Sequence, residues 1–399
     1  MFSSHVVHMP YRLFFLGAAW YAVFHVLVWT VHLGAGTQPP AAQPFLWHGY
    51  EMVFGFAGAI ICGFLLTASA NWIGRPTVGP LVLLALVVSW LVARIAGLNG
   101  MHPGVALAGD GIALWGMTLA LSVALVRAGN RRNYRFLPIA ALLALAATGF
   151  HLATLGWIPD LRYPLLRGAV DLLLILMVVM GGRIIPFFTS RRLPWVTVEN
   201  PDWLAAVSSF LVILAILGGW VWPEAWGTAK LTWFAALFLV ARQGHWRPFS
   251  TWREPMLWIL HLGYFWLALA LFLRGGAMAW DWMPVSTALH AITVGGLGCL
   301  GLGMMARVAL GHGGHEIRAP LWLVPAFVLV ALAAIPRLLT PWPELVDVQL
   351  AFMLSGGMWV LAFGIYAIGY LPILLGPRGD EAGTATERQK NPGPANSRN

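Results

Sequence analysis

Six of the twelve histidines stand inside long apolar stretches: His25, His32, His48, His151, His261 and His290. An imidazole taken out of water into hydrocarbon is costly, so several in one chain point to a shared task. Neutral imidazole is the axial ligand of b-type haem and a regular ligand of copper. Neither centre needs a local motif when its ligands come from separate helices. His25 and His32 are seven residues apart, which puts both on one helix face at two depths, roughly 10 Å apart. Trp29 shares that stripe. Counted along runs of alternating direction, His25, His151 and His290 reach similar depths in the outer half of a membrane. His32 and His48 stand above them near the rim, and His261 lies toward the other side. A metal centre held by His290 and at least one of His25, His48 and His151 is therefore expected, with His261 serving a second centre or packing. For each histidine alone, a hydrogen bond to a neighbouring helix is the plainer reading.

Other polar groups accompany these rings. Glu51, three residues after His48, is expected to accept from that imidazole's second nitrogen. Met52 offers a soft thioether to Cu(I), or simply packs. Arg94, Arg162 and Arg167 stand near the outer ends of apolar runs, where they could meet haem propionates. Arg167 and Asp171 have the i, i+4 spacing of a helix ion pair. Asp110 also falls inside a run. The pairs His5/His8 and His312/His315 read as short exposed pairs that bind a divalent metal weakly or not at all. Cys62 and Cys299 form no CxxC or CxxCH, which argues against c-type haem, iron–sulfur ligation and a disulfide framework.

The elements that must position these groups follow from composition. Hydrophobic residues make up 59% of the 399 and charged residues 10%, with a mean hydropathy of +0.75. A soluble domain needs about a quarter of its residues charged. A bilayer removes that requirement, and it admits helices because their backbone groups are satisfied internally. Twelve runs of spanning length can be marked, against a need of about 20 apolar residues each: 11–33, 47–70, 77–97, 104–127, 134–157, 164–187, 202–222, 226–243, 254–274, 284–307, 320–338 and 345–372. The expected fold is an all-α polytopic membrane bundle in one domain, 1–375, followed by a disordered cytoplasmic tail, 376–399. Arg-rich loops follow the even-numbered runs (Arg127, Arg131, Arg132 and Arg135; Arg183, Arg191 and Arg192), which places both termini in the cytoplasm. The net charge of +9 sits in these loops and reads as membrane orientation, not as a nucleic-acid surface. Many of the 22 tryptophans stand at run ends, as in interfacial aromatic belts. No signal-peptide cleavage site follows the first run. Runs 2 and 10 share one feature: each opens with a histidine and turns glycine-rich.

Four stretches carry a resemblance: WHGYEMVFGFAGAIICGFLLTASANWIGRP (47–76), MGGRIIPFFTSR (180–191), ILHLGYFWLALALFL (259–273) and HAITVGGLGCLGLGMMARVALGHGG (290–314). In order and over Tyr11 to about Leu375, the chain resembles the NnrS family. The resemblance implies a haem- and copper-containing protein of the bacterial inner membrane, tied to denitrification and resistance to nitric oxide. It implies haem b and copper as cofactors, nitric oxide as ligand or substrate, and a membrane electron donor. His48, Glu51, His151, His261, His290, His312, Arg183 and Arg307 occupy family-typical positions. The family often has HAHEM where this chain has HGYEM, so Tyr50 replaces a second histidine and is expected not to ligate a metal. The reading that results is a haem protein that binds or converts nitric oxide in the membrane; whether it is an enzyme stays open. Two alternatives stand beside it. A haem–copper oxidase or nitric oxide reductase of the established type would show an adjacent His-His pair and HPE, which are absent. A transporter of a metal, haem or metal–nitrosyl species would be colourless when purified.

Overall fold

The computed structural model describes residues 6–37 and 43–380. The chain is all-α, 81% helical, with no strand among the described residues. Twelve long helices follow one another: α1 Pro10–Ala35, α2 Pro44–Ile73, α3 Pro80–Leu98, α4 Pro103–Arg127, α5 Phe136–Thr154, α6 Arg162–Arg192, α7 Asp202–Val221, α8 Trp226–Gly244, α9 Pro255–Trp280, α10 Val285–His312, α11 Val324–Leu339 and α12 Val348–Gly369. Five begin on a proline, whose missing N–H costs nothing in the first turn. Gly36 and Gly74 end α1 and α2 in the left-handed conformation, at φ 64° and 71°.

Eleven of these, all but α8, are long and apolar enough to cross a membrane. Helix α8 carries Lys230 and Arg242, yet its 19 residues reach roughly 28 Å. It packs between α7 and α9. The chain ends bear on whether it counts as a crossing. Arg12, at the start of α1, donates through Nη1 to the carbonyls of Leu374 (3.2 Å) and Gly376 (2.5 Å), just beyond α12. The start of α1 and the end of α12 thus share one end of the bundle, which requires an even number of crossings. Twelve crossings, the number expected, would meet that requirement, with eleven of the helices qualifying by length and hydropathy. The tail expected at 376–399 lies outside the described residues from 381 on.

Helices α2 and α10 are the most buried of the spans. Each contains a seven-residue π-helical segment, Glu51–Ala57 in α2 and Ala291–Leu297 in α10. The segments begin three residues after His48 and one after His290. Such insertions are rare and recur at functional sites. Here they coincide with close packing. A Cβ on Gly295 would overlap the Trp266 ring of α9, and one on Gly55 would overlap Arg94 and Tyr21.

Candidate functional site

Helices α1, α2, α6, α10, α11 and α12 enclose a cavity of ≈ 410 Å³. It is lined by the last turns of α1 and α11 and the first turns of α2, α6, α10 and α12, so it lies in the half of the bundle away from the chain ends. Its walls are mostly apolar, among them Val26, Leu46, Leu166, Val294 and Trp359. His48 from α2 and His290 from α10 both face it, as do Met52 and Arg167.

The two imidazoles are held differently. His290 Nδ1 stands 2.8 Å from the carbonyl of Ser286, one turn earlier on its own helix. A carbonyl only accepts, so Nδ1 carries the proton, and Nε2 of the neutral ring keeps its lone pair. That is the arrangement of a metal-ready imidazole. His48 Nδ1 lies 3.2 Å from Nε2 of the buried His25, and its ring stacks on Trp29 at 4.5 Å and 12°. The stripe of His25 and Trp29 on α1 therefore orients His48. His25 Nδ1 is buried without a partner.

Among the described residues no group of three or more His, Cys, Asp or Glu side chains comes together to hold a bare ion. A haem brings four equatorial nitrogens of its own and asks the protein for one or two axial ligands. Two imidazoles from different helices facing one apolar cavity fit that demand; they do not complete a copper site. The cavity is also within the size range of small-molecule sites, roughly 300–1,000 Å³.

Beside this cavity lies a buried polar network that the sequence had assigned otherwise. Glu51 accepts from Tyr21 (2.6 Å) and from Arg94. Arg94 Nη2 also donates to both oxygens of Asp110, at 2.5 and 2.6 Å. Tyr50 donates to Asp110 and meets His151 Nε2 at 2.6 Å, and that nitrogen stands 3.2 Å from Asp110. Five helices contribute, and Gly97 gives Glu51 its place, since a Cβ there would overlap Oε1. The carboxylate of Glu51 thus belongs to Arg94 and Tyr21, while His48 turns to His25. Arg94 is paired with two carboxylates through Nη1 and Nη2. His151 is drawn to Asp110 and Tyr50 and does not line the cavity.

The remaining positions are scattered. His261 meets Thr189 Oγ1 at 3.0 Å beside Trp246, with Nδ1 buried and unpartnered. His32 meets Thr37 (2.8 Å) and His312 meets Asn71 (3.3 Å). Arg183 donates to Asn133 at 2.7 Å, Arg162 to Gln43 at 2.8 Å, and Arg307 lies 3.8 Å over the Phe188 ring. Asp171 forms its ion pair with Arg274 (2.6 Å) and accepts from Trp220 (2.9 Å). Arg167 donates to the Gly219 carbonyl at 2.9 Å and stacks on Trp220. The expected i, i+4 pair gives way because Arg274 reaches Asp171 from α9. Tyr21 of the network, Arg274 beside Asp171, and Ser286 and Arg337 of the cavity escaped the sequence reading. For the two arginines, their places in the apolar runs 254–274 and 320–338 were the available signal.

No curated protein matches the chain. A family model does, that of the NnrS protein, over residues 5–378, which includes every helix and both imidazoles of the cavity. This chain is a multi-pass membrane protein of the NnrS family, linked to the nitric oxide response.

Proposed function

We propose that the cavity binds a b-type haem held by His290 and His48, and that nitric oxide binds there in place of one of the two imidazoles. The observation that supports this most is the convergence of two imidazoles from α2 and α10 on one apolar cavity, with Nε2 of His290 left as its lone pair by the bond to Ser286. When bound, haem supplies an iron that ligates nitric oxide. The protein's part is positional. Ser286 fixes the tautomer of His290, while His25 and Trp29 fix the ring of His48. The mostly apolar walls suit a small apolar gas that already concentrates in lipid. Copper finds no three-donor set among the described residues, so no step is assigned to it. The membrane is taken to be the bacterial inner membrane, with the Arg-rich loops in the cytoplasm and electrons arriving from a membrane donor.

Purified protein should show a Soret band that shifts on adding nitric oxide. His290→Ala and His48→Ala should each lower the haem content per folded protein, or change the axial-ligand spectrum. Full haem content and unchanged spectra in both variants would remove the reading. A colourless wild-type protein would favour transport.

A further inference from the structure

The charge of the cavity is one-sided. Two of its lining side chains are cationic, Arg167 and Arg337, and none is acidic. Neither arginine makes an ion pair among the described residues. A guanidinium at the edge of an apolar cavity without a counter-charge is costly and is normally paired. Arg337, in the last turn of α11, is also held in place. Its Nη1 donates to Thr340 Oγ1 at 2.7 Å, and its guanidinium lies 5.0 Å over the ring of Phe352 on α12. One hydroxyl and one ring fix the plane of the fork and leave most of its five donors unused. Arg167 is similarly stacked on Trp220, donates to Gly219, and has Nε buried without a partner.

We infer that Arg337, assisted by Arg167, binds the carboxylates of the cavity's occupant, so that the site takes a dianionic macrocycle with its apolar body among the helices. The inference rests on the haem reading and adds to it a residue that fixes which way the macrocycle enters. Charge-assisted bonds from an oriented guanidinium to carboxylate are short and directional. They would set the acidic edge toward α11 and α6 while His48 and His290 address the metal. An anionic lipid headgroup offers similar chemistry to the same arginine, so the test must separate the two sources.

The test uses full-length protein purified from haem-limited cells and titrated with haem b and, separately, with its dimethyl ester, following the Soret band. Wild type should bind the diacid more tightly, and Arg337→Gln should shrink the ratio of the two affinities by roughly tenfold to a hundredfold. Comparing ratios cancels unequal partition of the porphyrins into detergent. Arg337→Lys should keep an intermediate preference. Arg167→Gln provides a second reading if Arg337→Gln does not accumulate. The same ratio in wild type, Arg337→Gln and Arg167→Gln would overturn the inference and leave the histidine ligands standing. An unchanged ratio with loss of co-purifying anionic lipid from Arg337→Gln would overturn it in favour of a lipid. Binding of neither porphyrin to wild type would overturn both this inference and the haem reading.

Discussion

At the scale of single residues, Tyr50 shows how a departure from a family pattern is absorbed. The phenol stands two residues after His48, where the family often has a second histidine. Its hydroxyl is committed to Asp110, with His151 at 2.6 Å. Asp110 retains Arg94 and His151 if the hydroxyl is lost. Tyr50→Phe is therefore expected to leave haem and copper content unchanged and to lower stability by about 1.5–3 kcal/mol, the range for one lost bond to a charged group. Metal analysis and a thermal melt on the same preparation check both halves. Loss of either cofactor would mean that the phenol has taken over a ligand role. The same network accounts for Glu51: a carboxylate in hydrocarbon goes to the nearest guanidinium, and here that is Arg94 from α3, not the imidazole one turn away on its own helix.

At the scale of elements, α2 and α10 do the positioning. In each, a histidine precedes a π-helical segment, and glycines within the segment let neighbouring helices approach to contact. In α10 the packing is tight enough to test. A methyl group on Gly295 would overlap the Trp266 indole. Gly295→Ala should destabilise the protein by roughly 1–3 kcal/mol, the cost of overpacking, and should weaken haem retention by moving the helix that carries His290. Trp266→Phe in the same chain should restore part of both. Equal melting temperature and haem content for Gly295→Ala and wild type would show that the bundle yields there at no cost. Melting curves and Soret absorbance per protein are the measurements.

At the scale of the whole molecule, the contact of Arg12 with Leu374 and Gly376 closes the bundle on itself, α1 against α12. If every long helix crosses, their number is even, and the Arg-rich loops after even-numbered helices predict that the end holding both termini is cytoplasmic. Reporter fusions after Gly376 and in the loop at 128–133 should both read cytoplasmic. A periplasmic signal at Gly376 alone would mean that α8 does not cross. If both fusions read cytoplasmic, the cavity lies in the periplasmic half, since it stands away from the chain ends.

The sequence by itself determined the class, the twelve helices and the depth of most candidate ligands, because these depend on local quantities: apolar length, proline and glycine at helix ends, and rise per residue. His48 and His290 could be placed in the same half of the bundle, away from the chain ends, by counting. Which side chain meets which was decided only by the tertiary structure. The rotation of each helix about its axis is fixed by packing against several neighbours, and a π-helical segment changes the angle per residue, so counting at 3.6 residues per turn loses the facing downstream. Glu51 looked like the partner of His48 and belongs to Arg94. His151 matched the depth of His290 and was taken by Asp110 and Tyr50. Arg167 was spaced for Asp171, which pairs with Arg274 from α9. Arg337 shows the same limit from the other side. Its position at the end of an apolar run was visible, but only the convergence of six helices makes it the edge of a cavity that also holds two imidazoles.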